Sequence, residues 1–398
     1  MFNTWQNILQ KFPLYLWGFS AIDVYLNRPS SGDFFLLTSA GTADLARMFE
    51  ELRYPGIDLA DAALDSGEYT FYFKCVDFPD SQSDVSLFAN TSLFKQGEGR
   101  RPSFKILEFY QNIQTGYFID PKGNHPPLLQ IKKSRQIDLF PEMNEGIEQY
   151  RAFMDWALIL AKYFSLEEIN HNIERHNNME IFKNLEPCTK PCIEEQKLLL
   201  TRLLSSANPA IGFEFLMQSG FIQEFWPELA VLNEVEHSKD YHPEGNVWKH
   251  TLETFRHRKA AGGIYDLRLS LALLLHDIGK PMAENSGYKR FDGHAEMGEV
   301  MAGRFLRRLE FPPSLINDVC YLVKNHMFPA ALPRLPLIRS EEKMTSPLFP
   351  LLMELYRCDE SSSFKGLDGY YESASAYQAF LRYRKNPYRT PDGKLKRK

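Results

Sequence analysis

Six side chains able to hold a metal ion recur along the C-terminal half of the sequence: His250 in NVWKHTLETF, the pair His276 and Asp277 in LALLLHDIGKP, His294 in FDGHAEMGEVMA, His326 in VKNHMFP and Asp359 in LFPLLMELYRCDESSS. A carboxylate placed directly behind an apolar run is costly to bury unless something compensates its charge, and a metal ion would do so. Imidazole nitrogens and carboxylate oxygens suit divalent Mn, Fe, Co, Ni or Zn, with Mg as the oxygen-preferring alternative. A metal-bound water loses its proton near neutral pH, and a carboxylate can bridge two ions, so the chemistry such a set offers is attack on a phosphoester. The expected arrangement is His250, His276, Asp277 and Asp359 around one ion, with His294, His326 and a bridging Asp277 around a second. With a single ion, His294 and His326 would instead contact a substrate phosphate or protonate a leaving group. Lys280, one turn after the pair, either offers its ammonium to a phosphate or pairs with a carboxylate and braces the loop.

The elements that must position these residues are helical. Apolar residues at three- and four-residue steps mark helices over NEGIEQYRAFMDWALILAKYF (144–164), IEEQKLLLTRLLSS (193–206) and AIGFEFLMQSGFI (210–222), and helices continue from about residue 236 to 384. Gly279 and Pro281 end the helix behind the His-Asp pair, which places the pair at a terminus. His257, seven residues after His250, shares its helical face and is expected to support it. His125, His171, His176 and His237 have no partner pattern and read as surface residues. The first third reads differently. PLYLWGF (13–19), DFFLLTS (33–39) and TFYFKCVDF (70–78) are expected strands, and TADLARMFEELR (42–53) is a helix behind a Thr cap. A Pro/Gly-rich stretch, YFIDPKGNHPPLLQ (117–130), closes that part. The fold class is therefore α+β: an α/β head over 1–135, an all-α neck and body over 136–235, an all-α domain over 236–385 carrying the chemistry, and a basic tail over 386–398.

The bulk numbers bound the function. At 398 residues the chain exceeds one ordinary core. With 44% hydrophobic and 24% charged residues it has the composition of a soluble protein; no apolar stretch approaches a membrane span, and the start lacks a secretory pattern, so a cytoplasmic location and no membrane partner are expected. Five cysteines, an odd number, do not make a disulfide framework. Cys188 and Cys192 in CTKPC are two zinc ligands at most and read as ordinary loop cysteines. A net charge of −5 argues against one dominant basic field for nucleic acid, apart from RYRKNPYRTPDGKLKRK (382–398), which reads as a solvated end or a tail able to touch RNA.

The ordered set His250, His276-Asp277, His294, His326, Asp359 resembles the HD superfamily of metal-dependent phosphohydrolases. The stretches YHPEGNVWKHTLETF, LALLLHDIGKP, FDGHAEMGEVMAGRFLRRLEFP and LVKNHM look like the tail of bacterial tRNA nucleotidyltransferases, the CCA-adding and poly(A)-polymerase-like group. LLLTRLLSSANPAIGFEFLMQSGFIQEFWPEL (198–229) is similar to that group's neck and body, and the first third resembles its polymerase-β-type head. Against that pattern the head is degenerate. Gly18 is followed by Phe19 where the group has a second glycine, Ile22-Asp23 stands for Arg-Asp, and the Asp-x-Asp pair is reduced to Asp33 with Phe35 in the second position. RRPSFKILEF lacks an expected Asp, residues 144–164 lack the arginine-rich stretch expected for the incoming nucleotide, and Asp77 is the candidate for a third carboxylate. The resemblance thus implies a metal-dependent phosphohydrolase acting on nucleotides or RNA-end phosphates, on a scaffold whose polymerase site is inactive. The alternatives are a tRNA CCA or poly(A) nucleotidyltransferase with a divergent head, and a non-catalytic RNA-binding protein. The implied partners are a nucleotide or RNA phosphoester, with tRNA as a candidate, and one or two divalent ions.

Overall fold

A computed structural model describes residues 8, 10–28, 32–67, 69–78, 88, 102–124, 128, 142–144, 146–164, 182, 185, 190–236, 245–285, 291–363, 366–384 and 388. The chain forms two compact units, residues 1–219 and 220–398. No helix among the described residues is long and apolar enough to cross a membrane.

The first unit is built on a seven-stranded sheet in the order β3-β4-β5-β2-β1-β6-β7. Its strands are β1 (Leu14–Trp17), β2 (Asp33–Thr38), β3 (Leu52–Arg53), β4 (Ala62–Ser66), β5 (Tyr69–Cys75), β6 (Tyr110–Asn112) and β7 (Phe118–Ile119). β2 and β5 run parallel, with Asp33 opposite Thr70 and Phe35 opposite Tyr72, and every other pair is antiparallel. The central strands read as near-continuous apolar runs because both faces are covered. Aromatic pairs such as Phe35 on Tyr72, stacked at 5.0 Å, cement the β2/β5 seam, each such pair being worth about 1 kcal/mol beyond its buried area.

Helix α1 (Phe19–Tyr25) follows β1, and α2 (Thr42–Met48) follows β2. Two expectations shift here. The strand read over 13–19 stops at Trp17, because Gly18 adopts φ +58° and turns the chain into α1. The helix read over 42–53 stops at Met48: Phe49 is extended, and Leu52 and Arg53 pair with β4 instead. Its cap also differs. Gly41 is the N-cap and Thr42 the first helical residue, with the Asp44 carboxylate accepting the Gly41 N–H at 3.2 Å.

Three helices complete this unit: α3 (Gln149–Tyr163), α4 (Ile193–Leu204) and α5 (Pro209–Gln218). α3 is buried all round from Arg151 to Tyr163, the pattern of a helix packed on several sides. Gly212 permits the α3/α5 approach, since a Cβ there would meet Leu203 Cδ2 at 2.6 Å and the Ala157 carbonyl at 2.7 Å. The helix read over 210–222 breaks at Gly220, φ +81°.

The second unit is helical and includes α6 (Val247–Thr254), α7 (Leu267–Leu275), α8 (Lys280–Asn285), α9 (His294–Arg308), α10 (Pro313–Asn325), α11 (Phe349–Ser361) and α12 (Asp368–Arg384); further short helices, among them Leu337–Met344, lie between some of them. Asn246 caps α6 by accepting the Lys249 N–H at 2.8 Å, and Asp266 caps α7 from Arg268 and Leu269. Leu269–Leu275 is wholly buried and delivers His276 and Asp277 into the interior. Gly279 then lets α9 lie directly against the turn: a Cβ there would collide with the His294 carbonyl and with Gly298 N at 2.6 Å.

Candidate metal centre and head cavity

In the second unit, three helix ends converge. His276 caps the C-terminus of α7, His294 opens α9 behind Gly293 (φ +80°), and His326 caps the C-terminus of α10. Each imidazole gives its Nδ1–H to a carbonyl three residues upstream: His276 to Leu273 at 2.9 Å, His294 to Phe291 at 2.9 Å, His326 to Val323 at 2.7 Å. A carbonyl only accepts, so the proton sits on Nδ1 and each Nε2 presents a lone pair. His250, inside α6, is set the same way. Its Nδ1 lies 3.3 Å from Ser362 Oγ, whose own proton goes to the Asp359 carbonyl at 2.6 Å.

The four Nε2 atoms meet two carboxylates. His250 Nε2 is 2.9 Å from Asp359 Oδ1 and 4.0 Å from Asp277 Oδ2; His276 Nε2 is 3.3 Å from Asp277 Oδ2 and 3.9 Å from Asp359 Oδ1. On the other side of Asp277, Oδ1 lies 3.6 Å from His294 Nε2 and 3.9 Å from His326 Nε2. Two triads result, His250-His276-Asp277 and Asp277-His294-His326, with all ligand atoms of each within 4.8 Å of one another. All six sequence-selected residues are thus brought together. Lys280 joins them by placing Nζ 2.6 Å from Asp277 Oδ2, the carboxylate-bracing alternative of its two roles.

The donor set fits divalent cations. His276 Nε2 is buried with no hydrogen-bond partner, and His294 Nε2 faces His326 Nε2 at 3.0 Å, where two lone pairs repel unless a positive charge lies between them. Burial, with His276 beside it, pushes His326 down to about 3, and burial also pushes His294 down, so both rings are neutral and ligand-competent at neutral pH. Burial alone would raise the Asp277 carboxyl, yet His276 and the Lys280 ammonium hold it well below the usual range. Asp359 is likewise lowered, His250 at 2.9 Å and His276 beyond it outweighing burial. Two carboxylates against one ammonium leave the cluster net negative.

His257 stands outside this cluster, in the turn that follows α6. His125, His171, His176 and His237, and Cys188 of CTKPC, lie outside the described residues, as does most of the basic tail; Cys192 is the N-cap of α4. Sequence reasoning missed Ser362, which fixes the His250 tautomer. It also missed Gly298, whose absent side chain lets α9 approach the His-Asp turn and Val323. The small-residue spacing in HAEMGEVMAG was the signal.

In the first unit, a cavity opens beside the β1–Gly18–α1 turn, lined among others by Gly18, Phe19, Phe35, Arg151, Asp155 and Arg202. Asp33, at the start of β2, is pushed up to about 6 by burial despite Arg202 and Lys162 nearby, and its Oδ2 has no hydrogen-bond partner. Asp23 is taken: Lys162 Nζ donates to Oδ2 at 2.6 Å and the Tyr163 hydroxyl to Oδ1 at 3.1 Å, which pins α1 to α3. Asp77 is exposed, beyond the end of β5 opposite to the one that neighbours Asp33, so it is no third carboxylate for that site. Arg151 and Arg202 escaped the sequence reading, although an arginine among the leucines of LLLTRLL is itself a signal.

Residues 247–360 match the HD domain family. That stretch is similar to an HD domain, and part of the chain is similar to tRNA nucleotidyltransferases. The CC-adding tRNA nucleotidyltransferase of Thermus thermophilus is 35% identical over 150 residues, 37% of this chain and 34% of that protein. The A-adding tRNA nucleotidyltransferase of Deinococcus radiodurans is 27% identical over 213 residues, 52% and 47% of the two chains. A multifunctional CCA protein of Shewanella denitrificans is 30% identical over 124 residues, 31% and 29%. This chain therefore spans less than half the length of each of these curated relatives. A solved CCA-adding enzyme of Bacillus stearothermophilus, in complex with CTP, aligns with 96% of this chain and 81% of its own at a TM-score of 0.48 and 13% identity. These relatives correct the functional expectation. They are named for adding nucleotides to tRNA, which overturns the reading of a phosphohydrolase on a scaffold with an inactive polymerase site. HD domains and nucleotidyltransferases both use divalent metal ions.

Proposed function

We propose that this protein is a tRNA 3′-end nucleotidyltransferase with a divergent head. A nucleoside triphosphate, CTP or ATP, occupies the cavity beside Gly18, and the 3′ hydroxyl of a tRNA attacks its α-phosphorus. The new P–O bond extends the tRNA by one nucleotide as the bond to pyrophosphate breaks. The observation that carries this reading is the 35% identity over 150 residues with a CC-adding enzyme. The head supports it by its order: strand β1, the Gly18 turn, α1, and a buried acid at the start of β2. In the second unit, His250, His276, Asp277 and Asp359 hold one divalent ion and His294, His326 and Asp277 a second, the ion being Mn, Fe, Co, Ni, Zn or Mg.

The test is incorporation of labelled CTP or ATP into tRNA lacking its 3′ end, with magnesium or manganese present. The full chain is expected to extend the tRNA, and Asp33→Ala to lower the rate by at least about 100-fold, the scale of losing one charge-stabilising group at a reaction centre. Retention of tRNA with no incorporation of either nucleotide overturns the reading in favour of a binding protein.

A further inference from the structure

A head that holds two magnesium ions needs two carboxylates on one strand face, because magnesium demands a nearly complete oxygen shell. β2 supplies Asp33 and then Phe35, so the residues present do not fit a two-ion site. A cation stands in that place. The Arg202 guanidinium lies between two rings, 4.6 Å from the centroid of Phe19 and 4.9 Å from that of Phe35, and the residue is only 5% exposed. Asp33, Asp155 and Asp23 act on it electrostatically, yet its Nε has no hydrogen-bond partner and none of the three forms an ion pair with it among the described residues. Arg151, 6% exposed, also lines the cavity and has an unpartnered Nη1. Asp155 is the single carboxylate in the lining among the described residues, and it already accepts the Ser103 N–H at 3.2 Å and pairs with Arg151 at 3.5 Å.

A buried guanidinium without an ion pair is expensive, and a dianionic or trianionic ligand is what relieves it. We propose that Arg202, seated by Phe19 and Phe35 and assisted by Arg151, binds a phosphate group of the nucleoside triphosphate. It supplies the positive charge that a second carboxylate-bound ion would otherwise bring. Phe35 is then a working residue of the head: its ring face holds the cation that replaces the ion its position no longer binds. This inference rests on the nucleotidyltransferase reading for the identity of the ligand and on the cavity alone for its charge.

The probe is inorganic tripolyphosphate titrated into the full-length protein by calorimetry in EDTA. Wild type is expected to bind. Arg202→Met should weaken binding at least tenfold, Arg202→Lys should recover part of the loss, and Phe35→Leu, which keeps β2 apolar but removes the ring, should weaken it about threefold. If Arg202→Met does not fold by circular dichroism, the Arg202→Lys and Phe35→Leu pair decides. No binding by wild type in EDTA, or unchanged affinity in the folded variants, overturns the proposal. Tripolyphosphate held through Arg202 without any tRNA extension sinks the nucleotidyltransferase reading and leaves the anion site standing. Extension by Arg202→Met at an unchanged KM for the triphosphate does the reverse.

Discussion

The two candidate sites have opposite charge problems. In the HD domain, four imidazole Nε2 atoms and two carboxylates are turned toward one another, and what is missing is positive charge. In the head cavity, two buried guanidiniums face one committed carboxylate, and what is missing is negative charge. The lesson is that burial of unmatched groups is directional evidence: the first excess specifies a metal ion, the second a phosphate. The backbone support differs too. Three of the four HD imidazoles sit at helix ends, fixed by hydrogen bonds to carbonyls three residues upstream, whereas Arg202 is held by ring faces.

The largest effect expected on the HD side comes from Gly279→Ala. The added Cβ meets backbone on both sides, the His294 carbonyl and Gly298 N, so no side-chain rotation relieves it. Chemical denaturation of the variant should show a loss of about 3 kcal/mol or more, at the upper end for overpacking. A loss below about 1 kcal/mol would mean that α9 is not held against the His-Asp turn, and the convergence of ligands would lose its physical basis.

Acidification should separate the two units by sign. The Asp33 carboxyl sits at about 6 when folded against 3.8 ordinarily, so the folded first unit binds that proton more tightly than the unfolded chain. The stability it contributes is full below pH 3.8 and lost as the pH rises through about 6, a span of about 2 pH units and at most ~3 kcal/mol. In the metal-free HD domain the sign reverses. His326 sits at about 3 against 6.5, so stability falls as the pH drops below 6.5, and Asp277, held low, adds to the loss below 3.8. Hydrogen exchange followed peptide by peptide in EDTA from pH 7 to 4 is expected to show rising protection free energies in β2 and falling ones in α7 and α10. A common trend in both units would remove the charge contrast.

Manganese should sharpen the contrast by filling one site only. At a hundredfold excess over its dissociation constant, an ion bound to the folded state alone stabilises by ~2.7 kcal/mol. The HD peptides should gain that protection and lose it in Asp277→Asn, which removes the carboxylate shared by both triads. Protection that rises with manganese in the Asp277→Asn protein would place the ion elsewhere.

How much of this was legible in the sequence follows from how local each feature is. His276 and Asp277 could be read because a buried helix, a glycine and a proline all punctuate the same dozen residues, and His294 and His326 sit at similar helix ends. β3 and β7, two residues each, and β6, three, could not be read, since so short a strand has no period of its own and takes its conformation from its neighbours. The same cause cut the helix expected over 42–53: Leu52 fits a helical face and a sheet edge equally well, and pairing with Leu64 decides between them. Arg202 was hidden for another reason. Its role depends on Phe19 and Phe35, far away in sequence, and only folding brings a cation between two rings. The phosphohydrolase expectation equated missing motif residues with missing activity, without asking which other side chains fill the space.

The smallest effect tests the finest detail of the metal side. Ser362 accepts the Nδ1–H of His250 only because its own proton is committed to the Asp359 carbonyl, so one hydroxyl both sets the His250 tautomer and ties it to the helix that bears Asp359. Ser362→Ala removes that acceptor without charging or unburying a ligand. The ring can then carry its proton on Nε2 and donate to Asp359 Oδ1, 2.9 Å away, which satisfies both groups and closes the site to an ion. Outer hydrogen bonds of this kind are worth about 10- to 100-fold in metal affinity. The expected outcome is a tenfold weaker manganese affinity by calorimetry, equal to ~1.4 kcal/mol, with metal-free stability within about 1 kcal/mol of wild type. Equal losses in both quantities would make Ser362 a packing residue, and the tautomer argument for the lone pairs at this centre would rest on His276, His294 and His326 alone.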